Sequence, residues 1–160
     1  MSEGIKSAAG RSAGAPWWVT IFTPITRSVL GTRMPMGFNG LITIRGRKSG
    51  LPRTTPIAII HVSGRRWVWS PWGEVNWVRN LRAAGEAQIA FRGRKDDVRA
   101  TELDPTQRVA FFRDTLGPVA RTIPFGRAFI RIVDGTDLDK PEEAAEGRPV
   151  FELHPASVQR

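Results

Sequence analysis

Residues 46–50, Gly46-Arg47-Lys48-Ser49-Gly50, set two cations and a hydroxyl between two glycines. Glycine permits positive φ and lets backbone N–H groups converge on one point. Arginine adds a planar fork of donors, lysine a point charge, serine a short hydroxyl. The combination suits a phosphate or a row of carboxylates. Two further segments could converge on it. Ser70-Pro71-Trp72-Gly73 leaves an apolar run, and Trp77 and Asn80 stand three apart, on one face of a helix.

Other catalytic devices are scarce. The chain has no Cys and no Tyr, which removes disulfides, thiolate nucleophiles, Cys-ligated zinc and phenolic acids. Its two histidines, His61 and His154, lie far apart and in no metal spacing, so no metal site is expected. No Gly-x-Ser-x-Gly elbow occurs, and Ser49 sits among cations rather than beside a base. An enzyme built this way leans on a bound organic cofactor for its chemistry. No residue stands out as catalytic; Ser70 and Thr55 are the weak candidates, as groups that could polarise an acceptor or carry a proton.

The elements that must position these residues are mostly strands. Gly40–Arg45, Arg53–Val62 and Arg66–Ser70 read as strands, the last two joined by a Ser63-Gly64 turn. Pro52 and Pro56 mark an edge, a bulge or a ligand-facing stretch. Trp67 and Trp69 alternate with Val68 and so share a side. Asn76–Ala84 reads as a helix closed by Gly85. Ala87–Phe91 and Asp97–Leu103 form a hairpin around Arg92-Gly93-Arg94. Asp104-Pro105 opens a helix that runs to about Leu116, with Gly117-Pro118 as its stop. A second helical segment spans Arg121–Val133, an acidic loop 134–147, and a last strand Pro149–Leu153. Hairpin-linked strands with a few helices predict a small antiparallel barrel carrying helices outside.

The 160 residues fit one domain, with 1–15 as a disordered Gly-rich arm. Trp17–Leu30 reads as an amphipathic helix, interrupted by Pro24 and too polar to span a membrane. The plainer reading packs it on the domain; the sharper one lays it on a lipid surface. Charge is uneven: residues 1–95 hold 15 Lys and Arg against 3 Asp and Glu, and residues 96–160 hold 9 against 12. The basic part implies an anionic partner.

Gly-Arg-Lys-Ser-Gly-x-Pro-Arg-x-x-Pro at Gly46–Pro56, a strand and Gly loop, then Trp77-Val78-Arg79-Asn80-Leu81 resembles the deazaflavin-dependent nitroreductase family. The resemblance covers residues 38–104 clearly and the rest loosely. It implies a mainly-β, single-domain split β-barrel over residues 16–155, similar to the FMN-binding split barrels. It also implies the coenzyme F420 and hydride transfer to quinones, nitroaromatics or activated alkenes. By the same resemblance Arg47, Lys48 and Ser49 meet the coenzyme's phospholactyl-oligoglutamate tail. Arg53, Thr54, Thr55, Pro56, Ile57 and Ala58 run along its phosphate, ribityl chain and ring. Trp69, Ser70, Pro71 and Trp72, with Asn76, Trp77 and Asn80, close the opposite side. The chain departs from the family pattern in two ways. Pro71-Trp72-Gly73 stands where many relatives carry Lys-Gly-Gly, in a shorter loop before Trp77 with one cation fewer, and no tyrosine is present to act as a proton donor.

Plainer readings stand beside these. A cationic turn is also what a solvated hairpin tip looks like. Trp67 and Trp69 suit core and barrel wall, and a half-buried Asn80 suits a hydrogen bond to a nearby loop. FMN on the same fold, a nucleic-acid-binding barrel and a non-catalytic carrier are the rival functions. Against nucleic acid, the tryptophans sit in apolar strands and the cations cluster in one turn instead of tracking a groove. The expected partners are a small apolar acceptor and no nucleic acid, with the protein a monomer or homodimer. The expected location is the cytoplasm, with a peripheral contact to the inner face of the membrane through residues 17–30.

Overall fold

The computed structural model describes residues 39–156. The expected arm at 1–15 and helix at 17–30 lie outside them. Seven strands form one antiparallel sheet: β1 Gly40–Arg45, β2 Pro52–Ile57, β3 Ile59–Val62, β4 Arg65–Trp69, β5 Glu86–Phe91, β6 Arg94–Glu102 and β7 Val150–Pro155. Their spatial order is β2-β1-β5-β6-β7-β4-β3. The two edge strands, β2 and β3, are consecutive in the chain and meet at Ala58. The sheet therefore curls until its edges are one residue apart in sequence.

This corrects the expectation of one strand from Arg53 to Val62. Asn39 holds the seam: its N–H donates to Ile57 O (3.2 Å), its Nδ2 to Ile59 O (2.8 Å), and its Oδ1 accepts from Ile59 N–H (2.7 Å). Pro52 and Pro56 fall on edge strand β2, where a missing donor costs no ladder bond.

Side-chain alternation divides the sheet between two cores. Ile42, Ile44, Val68, Ile89, Val98 and Phe151 fill the inside of the curl. Helix α1, Asn76–Ala84, closes that core with Val78 and Leu81. Trp67, Trp69 and Val150, the neighbours of Val68 and Phe151, face the other way and pack on Phe111, Phe112 and Leu116. Each such buried side chain stabilises by about 1.5–3 kcal/mol.

The helices of the second core depart most from the pattern read in the sequence. Helix α2, Pro105–Ala110, begins with the expected Asp104 cap, completed by Gln107 in a reciprocal capping box. Gly117-Pro118 does not stop it. A π-helical turn, Phe111–Leu116, carries the chain into α3, Gly117–Thr122. Gly117 N–H reaches back to Phe112 O, and that wider turn accommodates a proline that has no N–H to give. The chain breaks at Ile123–Phe125, and α4 runs Gly126–Asp134. The acidic stretch contains a short helix, α5, Pro141–Ala145, whose Ala144 and Ala145 join the second core.

Candidate functional site

The basic turn joins β1 to β2. Gly46 N–H bonds Leu51 O (2.8 Å) and Gly50 N–H bonds Gly46 O (2.9 Å). Gly50 has φ 70, and a Cβ on Gly46 would stand 2.8 Å from Ser49 Oγ. The positive φ calls for glycine at position 50, whereas a side chain at position 46 would crowd Ser49 Oγ and Leu51 O. Ser49 Oγ accepts from Leu51 N–H (3.2 Å), which leaves its own hydrogen to donate. Arg47, Lys48 and Ser49 are exposed around an open hollow of about 500 Å³ lined by Arg45–Gly50 and by Ala83 and Ala84 of α1. The position of a Gly46 Cβ, 3.7 Å from Arg53 Cγ, shows that the Arg53 stem runs beside the turn.

Asn80 fastens this turn to α1. Its Oδ1 accepts from the Arg47 backbone N–H (3.2 Å) and from Arg47 Nη1 (2.8 Å). The residue is only 7% exposed. Trp77, three residues earlier, packs against the inner core with its ring 6.2 Å from Phe151. Asn76, at the start of α1, is exposed. Asn76, Trp77 and Asn80, expected to close one side of the coenzyme, thus have three different surroundings.

Strand β2 leads away from the turn with Arg53, Thr54 and Pro56 exposed, Thr55 half-buried and Ile57 buried. Thr54 Oγ1 is tied to Thr43 Oγ1 of β1 (2.8 Å). Six extended residues cover about 20 Å. At the far end Ala58 lines a cavity of about 410 Å³, within the usual range for a small-ligand site. One wall is the seam and rim of the sheet: Ile59, Ile60 and His61 of β3, Trp69, Phe91, and Pro71 and Trp72 of the loop after β4. The other is helical, from Leu116 and Val119 through Ile123 to Phe129 and Ile130. Trp69 is fixed edge-on against Phe112 at 5.5 Å, whereas Trp72 is 56% exposed. Ser70, between Trp69 and Pro71, is fully buried, and its Oγ has no hydrogen-bond partner among the described residues.

The predicted residues therefore fall in two places joined by one strand. Arg47, Lys48, Ser49 and Arg53 gather at the cationic turn, and Ala58, Trp69, Pro71 and Trp72 gather at the apolar cavity. The sequence reading missed Asn39, His61, Phe91 and the whole helical wall. Only the apolar spacing of 116–130 hinted at that wall, and such spacing equally fits a helix packed on a core. Arg82 steadies the loop between the two regions. It donates to Glu74 (3.0 Å) and bidentately to Glu102 (2.7 and 2.8 Å). Hydrogen bonding by Arg82 holds the Glu102 carboxyl below its ordinary value. Among the described residues, no group of three or more His, Asp or Glu could hold a metal ion. Nor is any helix there long and apolar enough to cross a membrane.

An amphiphilic coenzyme, anionic at one end and planar at the other, fits this donor set. Residues 19–121 match the model of the F420H(2)-dependent quinone reductase family. Among solved structures, one forming a domain-swapped dimer aligns with TM-score 0.52 and 17% identity, over 86% of this chain and 97% of its own. An F420-H2 dependent reductase aligns with TM-score 0.50 and 19% identity, over 72% and 92%. A conserved hypothetical protein from Mycobacterium tuberculosis aligns with TM-score 0.50 and 15% identity, over 76% and 75%. No curated protein matches. These likenesses establish the split-barrel fold, and the family match makes F420, not FMN, the coenzyme and displaces the nucleic-acid reading. The chain belongs to the F420H(2)-dependent quinone reductase family, a family of oxidoreductases.

Proposed function

We propose that this chain passes a hydride from reduced F420 to a planar, apolar acceptor held in the 410 Å³ cavity: a quinone first, or a nitroaromatic or activated alkene. One observation carries the reading. The exposed edge strand β2 begins at a cationic hollow and ends at an apolar cavity, the polarity sequence of the coenzyme itself.

In this reading Arg47, Lys48 and Ser49 bind the anionic tail, and Arg53 takes the phosphate. Thr54 to Ala58 lie along the ribityl chain and ring, and Trp69 to Trp72 face them. Asn80 positions Arg47, while Trp77 and Asn76 support that side through α1. When bound, the reduced deazaflavin supplies a hydride. The residues of the chain orient it, keep water out with Ile, Phe and Trp side chains, and leave a proton to be supplied. Ser70 Oγ is buried behind Trp69 and Pro71 and does not line the cavity, so it supports the wall and does not touch the acceptor. Residues 16–155 would form the single coenzyme-binding domain, acting as a monomer or homodimer in the cytoplasm.

The test is a fluorescence titration with F420 at low and high salt. Affinity should fall with salt, because the cations are exposed. Lys48→Ala should weaken binding by about 1–3 kcal/mol, the range for a lost charge-assisted contact. An unchanged affinity in a folded variant removes the turn from the site. Bound reduced coenzyme should be oxidised faster by menadione than by a charged sugar; the reverse preference removes the acceptor assignment.

A further inference from the structure

We infer that His61 is the catalytic proton donor to the acceptor in the cavity, an inference that rests on the acceptor reading above. The need for a donor follows from the balance of the reaction. A quinone becomes a hydroquinone by gaining one hydride and one proton. The hydride carries both electrons and comes from the reduced coenzyme. It leaves an oxyanion on the acceptor, and an apolar cavity offers that oxyanion little water.

The cavity contains few candidates. Among the described residues, Asn39, His61 and Arg92 are its polar side chains, apart from the indole N–H groups of Trp69 and Trp72. Indoles donate hydrogen bonds but do not give up the proton near neutral pH. Asn39 spends both amide atoms on Ile59. Arg92 lies over the Phe91 ring at 4.9 Å, and a guanidinium stays protonated in proteins. Histidine is the side chain suited to exchanging a proton around neutrality. With no Tyr and no Cys in the chain, no phenol or thiol competes with it. Ser70 and Thr55 offer only hydroxyls, and a hydroxyl is no net source of a proton.

The placement of His61 fits the task. It sits on β3, one of the two edge strands among the described residues, lining the cavity while remaining exposed. Its ring meets Phe91 edge-on at 6.0 Å and 87°, a contact that favours one orientation of the imidazole. The charged groups around it are Arg66, opposite on β4, its ion-pair partner Asp96 on β6, and Arg92 on the β5–β6 turn. In the step itself, the imidazolium N–H bond breaks and an O–H bond forms on the reduced acceptor. The neutral imidazole then regains its proton from solvent at its exposed side.

His61→Gln keeps a hydrogen-bonding side chain of similar length but does not titrate. In that variant kcat with menadione should fall about 100-fold, the lower range for general acid catalysis. The alkaline limb of the kcat–pH profile, where a proton donor is lost, should vanish, and F420 affinity should be unchanged. The second measurement needs no turnover. His61 and His154 are the only imidazoles, so their ring NMR signals are assigned by His61→Gln and His154→Gln. Menadione added to the protein, with and without oxidised F420, should shift the His61 signals and their titration and leave His154 still. Menadione that binds, seen by tryptophan quenching, without moving His61 overturns the assignment of the donor. An unchanged kcat–pH profile in His61→Gln does the same. Menadione that fails to bind either form overturns the acceptor cavity, and the donor with it.

Discussion

Replacing Asn80 by alanine separates a latch from a ligand contact. The Asn80 Oδ1 takes two hydrogen bonds, from the Arg47 guanidinium at 2.8 Å and from the Arg47 backbone N–H at 3.2 Å. A hydrogen bond to a charged group contributes about 1.5–3 kcal/mol and a neutral one about 0.5–1.5 kcal/mol. Arg47 is exposed, so water replaces much of both after truncation. The expected loss is therefore at the low end, about 1–2 kcal/mol. At this chain length each kcal/mol lowers Tm by about 2–4 °C. F420 affinity should fall too, since a released Arg47 must be ordered again on binding.

Asn80→Asp sharpens the result. A carboxylate keeps the bond to Arg47 and should hold Tm near the parent value. It also puts a negative charge beside the hollow, costing an anionic tail up to about 1 kcal/mol at contact distance in water-like surroundings. The assay pairs differential scanning calorimetry with coenzyme titration. The reasoning fails if alanine leaves both Tm and affinity unchanged. It also fails if aspartate binds coenzyme more tightly than the parent, for the hollow would then not be an anion site.

Two further perturbations test the frame behind the site. Trp77→Ala should cost about 2–4 kcal/mol, somewhat below the usual range for a fully buried aromatic because Trp77 is only half-buried; urea melts read this, and a loss under 1 kcal/mol would deny it a place in the inner core. Glu102 and Glu152 are both held below the ordinary 4.5 by hydrogen bonds from Arg82 and Arg65. A carboxyl lowered in the folded state adds stability that is complete above the unfolded value and is lost as pH falls through the folded one. Tm should therefore drop as pH falls below about 4.5, and Arg82→Ala should flatten that decline while costing about 0.5–1 kcal/mol at pH 7. A Tm–pH curve unchanged by Arg82→Ala would show that the bidentate pair contributes nothing.

The sequence disclosed what depends on local chemistry. The Asp104-Pro105 start, the Gly85 stop and the Ser63-Gly64 turn all follow from backbone preferences that a few neighbouring residues decide. The fold and the coenzyme were legible because the basic turn, the prolines and Trp77 to Leu81 occur in order at fixed spacing. What stayed hidden depends on distant partners. Ala58 does not look like a strand break; it becomes one because Ile57 pairs with β1 whereas Ile59 pairs with β4. Gly117-Pro118 signals a helix stop locally, yet Leu116 and Ala120 are both buried against the second core, and that burial carries the helix through with a π turn. The site was half visible for the same reason. A charged turn shows itself in five residues, whereas an apolar cavity forms only where a helix crosses a sheet.

Strand β2 poses a problem that its composition answers. An unpaired edge invites another strand, and most proteins cover or shorten it. Here the proposed coenzyme track needs the edge open. Pro52 and Pro56 lie four residues apart, and therefore on the same side of the strand, and neither offers an N–H to an incoming chain. Arg53 between them adds a charge that a neighbouring copy would have to bury. Pro56→Val should restore a donor and raise β propensity without disturbing β1 pairing, since Pro56 already sits opposite Leu41 in register. The variant should fold with a parental circular dichroism spectrum and bind F420 at low concentration. It should self-associate at high concentration, seen as a rising mass by light scattering. Added F420 should suppress that association, because coenzyme and a second strand would compete for one edge. Self-association indifferent to F420 would show that the coenzyme does not lie along β2.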